Sequence, residues 1–182
     1  MRITISGPPG SGKTTICRLL ADRLGYAYVI SGNVFREMAK QHGMSLVEFG
    51  ALAQRDPRYD RMIDEAMIQR AMQEKDIILE GRLAAHNLTR RGIPAFKVYL
   101  DADPYTRAKR IVEREGNDLE RTAREMRERE ECEAQRYLQW YGIDLKDRGV
   151  YDLIVDTAKL TPEEIVDLIL RKMGRTNDAD DC

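Results

Sequence analysis

Residues 7 to 15 read GPPGSGKTT and directly follow a short apolar run. The spacing G-x-x-x-x-G-K-T is supplied by Gly7, Gly12, Lys13 and Thr14. In this motif the glycines let backbone N–H groups converge on phosphate oxygens, the lysine reaches the outer phosphates and the threonine hydroxyl binds Mg²⁺. A plain turn between a strand and a helix would need neither the lysine nor the threonine. The stretch therefore predicts a phosphate-binding loop between a first strand and a first helix.

The rest of this loop is assigned to the same nucleotide, namely Pro8, Pro9, Gly10, Ser11 and Thr15. Ser11 and Thr15 have an alternative role, because either hydroxyl could cap the helix that follows. The motif leaves open whether the phosphate goes to water, to a second substrate, or nowhere because the protein is a switch.

Five apolar runs predict a five-stranded parallel sheet in an α/β architecture, because helical stretches separate each run from the next. The runs are RITIS (2–6), YAYVI (26–30), IILE (77–80), FKVYL (96–100) and YDLIV (151–155). A capping box at Thr161 predicts a closing helix that ends near Met173. A chain of 182 residues fits a single domain, which we place at 1–174, with 175–182 as a flexible tail.

Two segments are longer than a simple alternation of strands and helices requires. Residues 33–75 leave room for three helices, one of which begins at the capping box SLVE, 45–48. Residues 104–141 are rich in Arg and Glu and predict two helices with a break at Gly116 and Asn117. Both segments are therefore expected to be helical insertions.

Composition argues against several classes of partner. Thirty basic and thirty-one acidic residues give no net field that would attract nucleic acid or a membrane surface. Cys17, Cys132 and Cys182 have no paired spacing, so neither a zinc site nor a disulfide framework is expected. No apolar stretch approaches the length of a membrane span. We expect a cytoplasmic protein and a monomer, although nothing in the sequence fixes the oligomeric state.

A second anion site is expected at the carboxyl ends of the strands, where ligands bind in such sheets. SGNVFR places Arg36 about one turn into a helix after the second strand, and EGR places Arg82 after the third. Two guanidinium groups there could clamp a phosphate monoester. The alternative is that both lie in solvent or pair with Glu37 and Glu80. Glu80 ends its strand where a carboxylate would orient the water shell of Mg²⁺, unless it turns outward.

Together these blocks resemble the nucleoside monophosphate (NMP) kinases, and most closely the archaeal type of cytidylate kinase, along essentially the whole chain. The resembling stretches are MRITISGPPGSGKTT, SGNVFREMAKQHGMSLVEFG, LEGRLA, REREECEAQRYLQWYGID and YDLIVDT. The resemblance implies a three-layer P-loop NTPase fold with an NMP-binding insertion at about 33–75 and a helical lid at about 115–141. It further implies transfer of a phosphate from ATP, with Mg²⁺, to CMP or dCMP.

The resemblance also implies roles in an acceptor pocket. It places Ser31 and Gly32 near the nucleoside, and Arg36 and Arg82 on its phosphate, with Gly81 in the same turn as Arg82. The related kinases carry Asp where this chain has Glu80, so the role in the magnesium shell is expected to survive with a longer side chain.

In the lid, RIVER at 110–114 implies that Arg110 stacks on the donor adenine and that Arg114 reaches its phosphates. Arg129, Glu133 and Arg136 have the spacing of an Arg, Asp, Arg set that approaches the acceptor and the transferring phosphoryl group in bacterial cytidylate kinases. With Lys13, the two arginines of that set are the expected catalytic cations. The alternative is a solvated helix with i,i+4 pairs such as Arg129 with Glu133. DTAK at 156–159 resembles the loop that recognises the donor base, although a plain strand-to-helix connection would look the same.

Base selection is assigned to Asp60, Arg61 and Asp64, because a carboxylate can accept from cytosine N4 and a guanidinium can donate to O2 and N3. The alternative is that they belong to the solvated surface of a helix. Three rivals remain open. One is another kinase of this fold, acting on AMP, UMP or shikimate. The others are a nucleotide switch, although its motifs N-K-x-D and D-x-x-G are not found, and a nucleotide-binding module without transfer.

Overall fold

The computed structural model describes residues 1–174, apart from the side chains of residues 46 and 47. The predicted flexible tail at 175–182 lies outside the described residues. Five strands form one parallel sheet in the order β2-β3-β1-β4-β5, which confirms the expected α/β architecture. They are β1 (Arg2–Ser6), β2 (Ala27–Ile30), β3 (Ile77–Glu80), β4 (Phe96–Asp101) and β5 (Leu153–Asp156).

Helices connect the strands and cover both faces of the sheet. Those of the described residues are α1 (Lys13–Leu24), α2 (Ser31–Gln41), α3 (Leu46–Arg55), α4 (Pro57–Gln73), α5 (Ala84–Arg90), α6 (Pro104–Glu115), α7 (Leu119–Tyr141) and α8 (Pro162–Lys172). None of them is long and apolar enough to cross a bilayer. β5 begins two residues later than predicted, because the backbone N–H of Tyr151 closes a turn onto the carbonyl of Arg148 at 3.1 Å.

The core has two halves, one on each side of the sheet. On one side α1 and α8 bury Leu20 and Ile169 against the inward-facing Ile5 of β1. On the other side α4 and α5 pack on the alternate residues of β3, such as Leu79. Side chains alternate between the two faces of a strand, so β3, which is buried throughout, contributes Ile78 to one half of the core and Leu79 to the other.

The segment between β2 and β3 contains three helices, α2, α3 and α4, the first beginning at Ser31, directly after β2. They share a small core in which Phe49 is fully buried. Its ring lies 4.9 Å from that of Phe35 and 5.2 Å from that of Tyr59. The capping box between Ser45 and Glu48 is present at the start of α3. This separate core lets the three helices hold together beside the sheet.

The segment between β4 and β5 contains two helices, α6 and α7. Gly116 ends α6 with a φ of 72°, in the left-handed region that glycine tolerates, and Asp118 caps α7 by accepting from the N–H of Arg121. Near the other end of α7, Tyr137 packs with Leu83, which follows β3. The C-terminal half of α7 is thereby held over the carboxyl end of the sheet.

Candidate active site

The loop between β1 and α1 is shaped by glycines that no other residue could replace. A Cβ on Gly7, whose φ is 146°, would lie 2.1 Å from the carbonyl oxygen of Leu100. A Cβ on Gly10, whose φ is 76°, would lie 2.5 Å from the carbonyl oxygen of Arg107. The loop backbone therefore packs directly on the end of β4 and on α6, which fixes the direction of its N–H groups.

Lys13 begins α1 and turns back along the loop, where its Nζ donates to the carbonyl of Pro8 at 2.7 Å. Burial lowers the pKa of Lys13 to about 7, and the positive charge of Arg82 adds to this effect while Glu80 opposes it. A phosphate dianion beside the ammonium group would favour its charged form. The position suits a lysine that meets the outer phosphates of a nucleotide.

Two oxygen ligands of the kind that Mg²⁺ prefers meet at the start of α1. The hydroxyl of Thr14 donates to Oε2 of Glu80 at 3.2 Å, and Glu80 is 6% exposed. Glu80 turns inward because β3 is paired with β1 so that Glu80 lies opposite Ile5, beside the loop. Ser11 is also buried, and its Oγ has no hydrogen-bond partner among residues 1–174, whereas Thr15 is exposed.

A cavity of about 630 Å³ lies beside the loop, which is within the usual size range of small-ligand sites. It is enclosed by α2, α3 and α4, by the segment after β3, and by α7. Ten predicted substrate-binding or catalytic residues line it, namely Ser31, Gly32, Arg36, Asp60, Asp64, Gly81, Arg82, Arg129, Glu133 and Arg136. The structure thus brings ten predicted residues from four regions of the chain to one site.

Arg82 joins this cavity to the phosphate loop. Its Nη1 donates to the carbonyl of Gly7 at 3.3 Å, and its Nη2 forms an ion pair with Oε2 of Glu133 at 2.8 Å. Neither alternative for Arg82, solvent or pairing with Glu80, is what the structure shows. Arg36 is exposed at the rim of the cavity and donates to Oδ1 of Asn33 rather than to Glu37.

The ends of β2 and β3 approach closely at the floor of the site. A Cβ on Gly81 would lie 3.2 Å from Oγ of Ser31, so a larger residue would require the Ser31 side chain to shift by a few tenths of an ångström. Gly81 therefore lets the Ser31 side chain pack closely against the turn that carries Arg82.

Glu133 on α7 holds two guanidinium groups together. Besides Arg82, it accepts from Nε of Arg129 at 2.9 Å, the i,i+4 pair that the alternative interpretation of this helix expected. The pair is more than a solvated one, because Glu133 is buried while the Arg129 side chain is 67% exposed. Burial opposes ionisation of Glu133, but Arg82 and Arg129 outweigh it and hold its pKa below the usual value.

Asp60 is paired with Arg136, whose Nε lies 3.0 Å from Oδ2 of the carboxylate. The structure does not bring Arg61 to this cavity. Arg61 is exposed and lines a different cavity of about 580 Å³ with Arg58, Arg90 and Arg91. Adjacent residues of a helix point about 100° apart, so Asp60 and Arg61 on α4 cannot face one ligand.

Asp64 lies one turn after Asp60 and lines both cavities. Burial raises its pKa to about 6; the charge of Asp60 adds to this, and hydrogen bonding to Tyr141 and Asn87 opposes it. Tyr141 and Asn87 had no place in the sequence-based site. They belong to α7 and α5, which only the tertiary fold brings beside α4.

Arg110 on α6 contacts the loop from the donor side. It donates to the Oγ1 of Thr157 at 2.9 Å, to the carbonyl of Thr157 at 2.7 Å and to the carbonyl of Gly10 at 3.4 Å. Thr157 in turn donates to the carbonyl of Ser11 at 3.2 Å, so the segment DTAK packs on the loop. The side chain of Arg114, which was expected to reach the donor phosphates, is exposed and pairs with the adjacent Glu115.

Arg107 is a buried contact of the loop that sequence reasoning missed, since it stands in a run with many arginines. Its Nη1 donates to the carbonyl of Pro9 at 3.2 Å. One signal was available: Arg107 and Arg110 are three residues apart and share a helix face, so the face that brings one to the loop brings the other.

Comparison with known proteins confirms the resemblance found in the sequence. The family model described as cytidylate kinase-like family matches residues 2–159. The cytidylate kinase of Archaeoglobus fulgidus is 41% identical over 171 residues, which cover 94% of this chain and 93% of that protein. That of Methanothrix thermoacetophila is 46% identical over 160 residues, covering 87% and 90%.

Solved structures support the fold alone. The shikimate kinase of Bacteroides thetaiotaomicron superimposes with a TM-score of 0.65 at 15% identity, over 96% of this chain and 98% of that one. At such low identity the likeness says nothing about the substrate.

Proposed function

The chain belongs to the cytidylate kinase-like family, and we propose on that premise that it transfers the γ-phosphoryl group of ATP to CMP, forming ADP and CDP. One observation supports this above the others: Arg82 contacts the Gly7 carbonyl of the phosphate loop and also lines the acceptor cavity. A donor site and an acceptor site thus share a guanidinium group. A switch or a binding module has no need of such an arrangement.

The phosphate of CMP is already an anionic nucleophile at neutral pH, so the reaction needs no general base. Positioning and charge neutralisation are sufficient for phosphoryl transfer. Arg36 and Arg82 would hold the acceptor phosphate, and Lys13 would hold the outer phosphates of the donor. Arg129 would neutralise charge on the transferring group from the side of α7, whereas Arg136, which was expected to share that role, pairs with Asp60 instead. In this proposal Glu133 orients Arg82 and Arg129, because it already pairs with both.

Thr14 and Glu80 are proposed to hold Mg²⁺. The hydroxyl and the carboxylate lie within 3.2 Å of each other, and both are hard oxygen donors of the kind that this ion takes. Bound Mg²⁺ would supply charge neutralisation on the phosphates that are being separated. The chain's own part is to fix the two oxygens by packing Glu80 between β1 and α1.

Arg110 and the segment that contains Thr157 are proposed to flank the donor base, since they pack together on the outer side of the loop. The exposed Arg114 would have to change its conformation to reach the donor phosphates.

For cytosine, we propose that Asp60 and Asp64 accept from the N4 amine and that Arg136 donates to O2 and N3. Arg136 takes the place that the sequence gave to Arg61, because it is the guanidinium that Asp60 meets in the cavity. We extend the proposal to dCMP as an alternative acceptor and to a cytoplasmic monomer, consistent with the nucleotide substrates and the unpaired cysteines.

The test is a coupled assay of ADP formation with Mg²⁺, ATP and one acceptor at a time. We expect CMP and dCMP to be phosphorylated well, and UMP, AMP and shikimate poorly. ATP hydrolysis at a rate that no acceptor changes would show that the protein does not transfer phosphate to any of them. A preference for AMP or UMP would keep the kinase but overturn the pyrimidine assignment.

A further inference from the structure

Arg107 on α6 links three parts of the molecule. Its side chain is 6% exposed. Nε donates to the carbonyl of Ala102 just after β4, at 2.9 Å, and Nη1 donates to the carbonyl of Pro9 in the phosphate loop, at 3.2 Å. Both terminal nitrogens reach the carboxylate of Glu130 on α7, with Nη2 at 3.4 Å from Oε2. One buried guanidinium thus holds the loop, the sheet and the lid helix.

The backbone of α6 reinforces the link to the loop. The carbonyl oxygen of Arg107 lies where a Cβ on Gly10 would clash at 2.5 Å, so the loop packs against this turn of α6 without a gap. One turn later, Arg110 donates to the carbonyl of Gly10. Two successive carbonyls of the loop, those of Pro9 and Gly10, are therefore held by α6. A shift of this part of α6 would change the path of the loop.

On the other side of the link, α7 carries residues that meet the acceptor cavity. Arg129, Glu133 and Arg136 line it, while Glu130 faces α6. An α-helix moves as a rigid unit over two turns, because its backbone hydrogen bonds are continuous. A ligand that draws the cavity face of α7 inward must therefore also shift Glu130, and with it Arg107.

We propose that Arg107 is a positioning residue that couples occupation of the acceptor cavity to the affinity of the phosphate loop for a nucleoside triphosphate. The inference rests on the proposed function, because it takes CMP as the acceptor. Coupling between two binding sites is reciprocal, so the triphosphate changes the affinity for CMP by the same factor. The consequence is that the loop binds its nucleotide most tightly when an acceptor is present to receive the phosphate.

The test is calorimetric titration of a non-hydrolysable ATP analogue, with and without saturating CMP. For the wild type we expect CMP to lower the Kd of the analogue by about fivefold or more, the range of ordinary allosteric coupling. Glu130→Gln keeps the size of the side chain but removes its charge, and we expect the factor to fall below about twofold. The matched control is Glu113→Gln, which alters an exposed pair with Lys109 on α6 and should keep the wild-type factor.

A second variant is Arg107→Lys, because an ammonium group cannot donate to the loop and to α7 through a planar fork. It should lose the coupling as Glu130→Gln does, and thermal denaturation of each variant shows whether the fold is retained. A wild type without coupling, or a folded Glu130→Gln with the wild-type factor, overturns the inference. If the wild type forms CDP in these cases, the proposed function survives. If it neither binds CMP nor forms CDP, both fail.

Discussion

The hydroxyl of Thr14 donates to the carboxylate of Glu80 across 3.2 Å, which joins the first turn of α1 to the end of β3. The contact arises from the strand order, in which β3 lies beside β1, so that the residue ending β3 faces the loop following β1. Two groups 66 positions apart in the chain thereby form one candidate Mg²⁺ site. Most of the expected chemistry depends on the carboxyl ends of β1 and β3 lying side by side.

Removing the charge of Glu80 should weaken the use of Mg²⁺. We expect Glu80→Gln to raise the Mg²⁺ concentration for half-maximal rate by about 10- to 100-fold, the usual cost of losing a group that orients a metal. Titration of the ADP-forming reaction with MgCl₂ measures this. Glu80→Asp keeps a carboxylate on a shorter side chain, so its Mg²⁺ concentration for half-maximal rate should lie between those of the wild type and Glu80→Gln. An unchanged Mg²⁺ requirement in Glu80→Gln would remove Glu80 from the metal site.

Arg36 should matter for the acceptor and not for the donor. A charge-assisted hydrogen bond contributes about 1.5–3 kcal/mol, so Arg36→Ala should raise the KM for CMP about 10- to 100-fold and leave that for ATP within about twofold. Initial rates with each substrate varied in turn separate the two constants. Lys40→Ala removes an exposed cation from the same helix and should change neither. Equal weakening of both substrates in Arg36→Ala would show that it serves another role.

Nucleotide binding should be accompanied by proton uptake at Lys13. Burial gives this lysine a pKa of about 7, below its ordinary value of 10.5, so at pH 8 about nine in ten molecules carry it neutral. Triphosphate binding favours the ammonium form, so binding should take up a proton and weaken as the pH rises above 7. Calorimetry at pH 8 in two buffers of different ionisation enthalpy measures the uptake. Lys13→Arg, which stays charged, should show none, and equal heats in both buffers for the wild type would contradict the prediction.

Local patterns were enough to predict the sheet. Each strand is a short apolar run, and the capping boxes at Ser45 and Thr161 form as expected. The loop was also recognisable, because its chemistry depends on consecutive residues. The roles of its side chains in catalysis remain predictions.

Contacts between distant helices were not predictable in the same way. The side chain of Asp60 was expected to act with its neighbour Arg61, but on α4 the two point apart and Asp60 meets Arg136 of α7 instead. Arg107 was hidden for a similar reason: among many arginines, burial is what distinguishes it, and burial depends on how α6 packs on the loop. A sequence shows the direction of a side chain along a helix, but not which surface that helix meets.

The stability of the protein should depend on pH through Asp64. Burial raises its pKa in the folded protein to about 6, above the ordinary value of 3.8, so the unfolded chain loses this proton at lower pH. The contribution of Asp64 to the free energy of unfolding is therefore fully present below pH 3.8 and is lost as the pH rises through 6. Asp64→Asn cannot ionise, so at pH 7.5 it should raise the free energy of unfolding by about 3 kcal/mol relative to the wild type, and by much less near pH 4. Urea denaturation at both pH values measures the difference.

The exposed Asp22→Asn is the control and should show no such gain at pH 7.5. If Asp64→Asn were instead less stable than the wild type at pH 7.5, its carboxylate would be stabilised by partners, and its availability to accept from cytosine would have to be reconsidered.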